Sequence, residues 1–191
     1  MIKIIYFSMV VIVLTSMMME SQAANPKRKL FTITTRNASA STLTREECID
    51  HAKSSGICTD LRGAKLNDAD LSGAMLVSAD LSEANLKKVM LQDAMMCRAD
   101  FSGANLAGAV MYDSDLNSAR LVNANLTGAN LSGANLSNAN LNGANLTKAN
   151  LKRADLTGAS LRGAILTGAQ TNAAVFSGTI MPDGTVHPTA D

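Results

Sequence analysis

The stretch ANLTGANLSGANLSNANLNGANLTKANL, residues 124–151, decides the fold. Leu returns at every fifth residue, Ala stands two positions before it, and Asn stands between them. The same phase runs outward in both directions. Of the 22 positions from 61 to 166 in steps of five, nineteen are Leu and the others are Met96, Phe101 and Met111. Two residues before each centre from 66 to 171 stands Ala, except at Val89 and Ser114. Asp or Asn immediately precedes 14 of the 22 centres. An internal repeat that covers this much of a chain governs every other reading of it.

Neither regular element accommodates a period of five. On an α-helix, five steps of ~100° carry each Leu about 140° round the axis, so no apolar stripe forms. On a continuous strand, side chains alternate, and successive Leu residues would point to opposite faces. The chain must instead turn once per repeat, with the centre and the residue two before it pointing inward. The other three positions, rich in Asn, Asp, Ser, Thr, Gly, Lys and Arg, then face out. Such repeats stack into a solenoid in which each buries its Leu against its neighbours.

Tandem Ala-(Asp/Asn)-Leu-x-x, as in Ala69-Asp70-Leu71 and Ala154-Asp155-Leu156, resembles the pentapeptide repeat family over roughly residues 59–178. The resemblance implies an all-β fold, a right-handed quadrilateral β-helix with four pentapeptides per coil. About six coils would then stack at ~4.8 Å spacing. Four inward columns follow from that coil. One is unbroken Leu from Leu66 to Leu166, another loses its core residue at Thr171, and another ends at Phe176.

Composition narrows the function. The 191 residues are 47% hydrophobic but only 3% aromatic, so a globular core built on large rings is excluded. Lys plus Arg is 17 and Asp plus Glu is 16, and residues 59–178 carry ten of each sign. A neutral chain sets up no field to attract nucleic acid or an anionic membrane.

The N-terminus reads as an address. Lys3, an apolar run from Ile4 to Met19, and then Glu20-Ser21-Gln22-Ala23 form a secretory signal peptide over 1–23, cut after Ala23 or next after Ala24. The run is shorter than the ~20 apolar residues that span a bilayer. Export to the periplasm or outside the cell is expected, with no stable membrane anchor after cleavage. Residues 24–41 are expected to be a basic, Ser/Thr-rich linker, with a strand possible at Leu30–Thr34. A short capping helix is expected within 42–58. Thr44 is its N-cap, Glu47 closes the capping box, Arg45 to Ser54 is helical, and Gly56 stops it. Residues 179–191 are expected to be a tail or cap, with Met181-Pro182-Asp183-Gly184 turning between Ile180 and Val186.

Candidate chemistry is sparse. Cys48 and Cys58 are a disulfide candidate in an exported chain, and Cys97, one step past a core position, is either a free surface thiol or an intermolecular link. His51 and His187 are the two histidines, and no Ser/His/Asp or Cys/His grouping is marked out. No catalytic residue, metal site or cofactor is expected. Asp60, Asp80 and Asp100 should stack along one edge, with structural turn bonds as their expected role. The strongest local signal is apolar. Met75, Met90, Met95 and Val110 replace the usual Asp or Asn, and Val77 and Tyr112 lie outward near Cys97. Exposed apolar patches mark contact surfaces, and flexible Met suits adaptable ones. The segment 24–41 or the capping helix could equally fold over this patch.

These features point to a non-enzymatic, exported solenoid acting as a structural or protein-interaction scaffold, a monomer or homodimer with an unidentified protein partner. A DNA-mimicking, gyrase-binding role of the quinolone-resistance kind, which the resemblance also brings, requires a strongly acidic rod and a cytoplasmic location. A cation- or metal-binding module is the third alternative.

Overall fold

The computed structural model describes residues 31–33, 41–43 and 60–189. Within 60–186 the backbone bends at each fifth residue, and isolated parallel bridges join residue i to residue i+20. Four bridge columns result, one per side of the coil. The first side runs Asp60, Asp80, Asp100, Arg120, Asn140, Ser160, Ile180, and the second runs from Lys65 through Asn85 to Ile165. The third runs Asp70, Met90, Val110, Asn130, Asn150, Gln170, and the fourth runs Met75, Met95, Asp115, Asn135, Asp155, Val175.

Following the backbone groups through one repeat explains its sequence. The Leu66 N–H donates to Asn85 C=O of the next coil at 2.8 Å, and Asn85 N–H donates back to Ala64 C=O at 2.8 Å. At the corner, Asp68 N–H donates to Lys87 C=O at 2.9 Å, and Ala69 N–H closes the turn onto Leu66 C=O at 3.2 Å. One N–H per repeat, that of the residue after Leu, has no partner in this scheme. The Asp or Asn before Leu supplies it: Ser102 N–H donates to Asp100 Oδ1 at 2.9 Å, and Thr147 N–H to Asn145 Oδ1 at 3.0 Å. Since backbone donors must find acceptors, the acidic or amide side chain is as much part of the fold as Leu.

Each turn also places its third residue at positive φ, as a type II turn does. Gly fills that position at Gly128 (φ 65), but Asn123 (φ 56) and Arg153 (φ 58) fill it too. The core is one cluster of Leu and Ala columns, with Met96, Phe101, Met111 and Val89 fully enclosed. Ser114 replaces an inward Ala, and its hydroxyl donates to Met111 C=O at 2.6 Å, which satisfies it in the dry interior.

The ends differ from the sequence reading in two places. Strand β1 (Phe31–Ile33) pairs antiparallel with β2 (Ser41–Leu43), Thr32 opposite Thr42. Phe31–Ile33 thus forms a strand inside the segment 24–41, expected to be mostly linker, and β2 straddles the boundary drawn between that linker and capping helix 42–58. The expected helix from Arg45 to Ser54, with Thr44, lies outside the described residues, as do the signal segment 1–23, Cys48, His51 and Cys58.

At the other end the coil does not stop at 178. Leu161 N–H donates to Ile180 C=O at 2.8 Å and Gly163 N–H to Pro182 C=O at 2.9 Å. Thr179 makes this possible by taking an inward position, fully buried, its hydroxyl on Leu156 C=O at 2.6 Å. Pro182 falls where Ile180 offers no acceptor and a proline needs none. The chain then reverses through the expected turn, with Gly184 at φ 87 and Val186 bridged antiparallel to Ile180. His187 N–H donates to Thr179 C=O at 2.8 Å, so the hairpin lies along the first side only. Leu166, expected inside, is partly buried because no further coil stacks on it, and Phe176 packs there with its ring 5.9 Å from His187.

Candidate functional site

The coil geometry brings the apolar exceptions together. Met90 and Val110 are bridged neighbours on the third side, and Met75 and Met95 on the fourth. Tyr112 lies at the corner between those sides, and Val77 and Cys97 at the corner after the fourth. Met95 is 46% exposed and Met90 37%, while Met75 and Val110 are half-buried beside them. Val77 and Tyr112 are also exposed.

The backbone scheme shows what this patch costs. Met75, Met90, Met95 and Val110 offer no oxygen, so the N–H groups of Val77, Gln92, Cys97 and Tyr112 lack the acceptor that Asp or Asn supplies in most other repeats. Each forgone bond is worth about 0.5–1.5 kcal/mol. Four repeats on two adjacent sides thus sacrifice stability at one place. Beneath Tyr112, the Gln92 Oε1 is buried and has no hydrogen-bond partner.

Cys97 carries a free thiol and is half-buried. Its thiol donates to Asp115 Oδ2 at 2.9 Å. Burial, then the Asp115 hydrogen bond and charge, push the thiol up to about 11, so it is protonated and a poor nucleophile at neutral pH. Sequence reading missed Asp115 as its partner, because the two meet only through the 20-residue coil step. It also passed over Ile165 (49% exposed) and Val175 (48% exposed), although both occupy the same position as Met75.

The Asp column is occupied by structure. Asp80 and Asp100 each accept the N–H and hydroxyl of Ser82 or Ser102. Arg62 spans Asp60 at 2.6 Å and Asp80 at 3.5 Å, and Arg120 lies 3.3 Å from Asp100. The Asp60 hydrogen bond raises Arg62 further above its ordinary value. Asp183, holding Thr185 through its side chain and backbone, is lowered. Asn125, in a tripeptide of glycosylation form, binds Thr127 through Oδ1 and donates to Asn105 Oδ1 at 3.3 Å. Among the described residues, no group of three His, Cys, Asp or Glu side chains is placed to hold a metal, and no helix is long and apolar enough to cross a membrane.

A family model described as pentapeptide repeats matches eight copies, over residues 57–93, 98–133 and 129–168. The chain belongs to the pentapeptide repeat family. Pentapeptide repeat proteins are right-handed quadrilateral β-helices, generally structural or interaction proteins, and no catalytic family is indicated. Among solved structures, this pentapeptide repeat protein is similar to HetL, involved in heterocyst differentiation regulation in Nostoc sp. strain PCC 7120. Identity is 30% over 67% of this chain and 83% of that one, with a TM-score of 0.27. It is similar to QnrB1, a plasmid-mediated fluoroquinolone resistance protein, at 27% identity over 65% of this chain and 58% of that one, with a TM-score of 0.48. A pentapeptide repeat protein of the Arabidopsis thaliana thylakoid lumen is 29% identical over 66% of this chain and 70% of that one, with a TM-score of 0.17. Among curated proteins no sequence matches.

Proposed function

We propose that this pentapeptide repeat protein is an exported, non-enzymatic scaffold of about six coils that contacts a protein partner through Met75, Val77, Met90, Met95, Val110 and Tyr112. The observation that carries the reading is the clustering of four missing Asx bonds under these side chains. Asp or Asn is also missing at Arg120 and Ser160 on the first side and at Lys65 and Ile165 on the second. The four positions on the third and fourth sides of the early coils, by contrast, are neighbours and all apolar. Concentrated loss of stability with exposed apolar surface is the signature of a site kept for contact.

The rival occupant of the patch is the chain's own 24–58 segment. Asn at positions 90 and 110 distinguishes the two. With an external partner, the double substitution raises stability by restoring two turn bonds and abolishes partner binding. With an internal cover, it lowers stability by removing apolar contacts. Export rests on residues 1–23, and the mature mass after cell fractionation tests it. A mass starting at Ala24 in the exported fraction supports it, and an intact chain in the cytosol overturns it. The ten acidic and ten basic side chains of residues 59–178 speak against DNA mimicry.

A further inference from the structure

A neutral sum conceals a polar tube. Residues 60–119 carry nine acidic and five basic side chains, a net of −4. Residues 120–179 carry one acidic and five basic side chains, a net of +4. The two signs line up on one corner. Between the third and fourth sides, successive coils read Asp93, Asp113, Gly133, Arg153, beside Gln92, Tyr112, Ser132, Lys152. Asp113, Lys152 and Arg153 are exposed, and no ion pair among the described residues includes them. Asp113 and Arg153 are two coils apart, ~10 Å at the rung spacing, too far to neutralise each other.

We propose that the third side is a docking surface for a second copy of this chain, laid antiparallel about a two-fold axis at Asn130. An isologous contact reads a surface against its own reverse. About Asn130, reversal sets Asp113 against Arg153 of the second copy and Tyr112 against its Lys152, each twice by symmetry. Val110 then meets Asn150, and Met90 meets Gln170, which is exposed. On the corner between the second and third sides, long side chains meet glycines: Lys148 faces Gly108, and Lys88 faces Gly168. Thr127 and Gly128 meet themselves. Position for position no like charges oppose one another in this register, although each Asp113 carboxylate leans over Gly133 toward the axis. Sliding the copies so that Asp93 meets Arg153 instead sets Lys88 against Lys148, so charge selects the Asn130 register.

Five coils at ~4.8 Å and a side three extended residues wide give a contact of a few hundred Å² per copy. That is below the ~800 Å² per partner of a standard interface, so the association is weak and salt-sensitive. The inference rests in part on the contact-surface reading, since Met90, Val110 and Tyr112 belong to both. It leaves Met75, Met95 and Val77 open for a different partner. Its test touches only charges, so the two readings fail separately.

The experiment is sedimentation equilibrium of the full chain at about 20 mM and about 500 mM salt. Reversible dimerisation at low salt, lost at high salt, is expected. Asp113→Arg and Arg153→Asp should each weaken it by about tenfold. An equimolar mixture of the two variants should associate again, because one copy then offers two arginines and the other two aspartates. Arg is tolerated at position 113, since Arg98 and Arg153 hold φ 58 at equivalent turn positions, close to φ 54 at Asp113. Circular dichroism confirms that each variant is folded. A wild-type monomer at millimolar concentration, single variants that dimerise like the wild type, or a mixture no more associated than its components overturns the proposal.

Discussion

The coils up to Ser118 and those after Arg120 are built on one backbone and treat their outer positions differently. From Asn125 to Asp155 every residue before the central Leu is Asn or Asp. Between Lys65 and Val110 the same position holds Lys, Met, Met, Met and Val among the acids and amides. Up to Leu161 both halves bury their inward columns completely: Met96, Phe101 and Met111 are as enclosed as Leu126, Leu136 and Leu146. The later half therefore shows what the fold needs. Departures in the earlier half are departures of surface; the four apolar ones fall on two adjacent sides, and Lys65 lies on the second.

Breaking the shared part should have the largest effect. Leu126→Ala leaves a hole with neighbours above and below, and should lower unfolding free energy by about 2–5 kcal/mol in chemical denaturation. Met96→Leu keeps volume and should stay within about 1.5 kcal/mol, showing that the earlier core is no weaker. The Cys97 environment separates the halves next. Its thiol should resist alkylation at pH 8 in the folded state, with the rate rising only toward pH 11. Asp115→Asn removes the neighbouring charge, so the midpoint of the alkylation profile should move to lower pH. The sign for stability follows from proton binding. The folded chain holds the thiol proton more tightly than the unfolded chain, whose ordinary thiol value is ~8.5, so stability falls as pH rises from there toward the folded value. Ser114→Ala, which restores the regular inward residue, should change stability by less than about 1 kcal/mol, because a satisfied hydroxyl and a methyl are nearly equivalent there.

Most of the fold was legible because period, centre and small inward residue are all local features of the sequence. Leu61 to Leu161 needed no tertiary information to be placed inside. The role of Asn and Asp was legible only as turn chemistry. That each serves one particular N–H emerges once coil-to-coil bonds account for the others. Cys97 with Asp115, and Asp113 with its unpaired charge, depend on the coil step and were invisible locally. Thr179 was missed as a core residue because a hydroxyl in that column reads as polar until Leu156 C=O is seen above it. The strand Ser41–Leu43 was hidden by its Ser/Thr-rich setting, where composition suggests a linker and only pairing with Phe31–Ile33 makes a strand.

Exchanging the outer residues between the halves tests most directly whether the apolar patch is held at the expense of the fold. Equilibrium denaturation of Met90→Asn/Val110→Asn and of Asn130→Met/Asn150→Met should move in opposite directions. The first should gain, and the second lose, about 0.5–1.5 kcal/mol per site. A loss in the first pair would contradict the account, since it would mean that Met90 and Val110 stabilise the molecule where they stand.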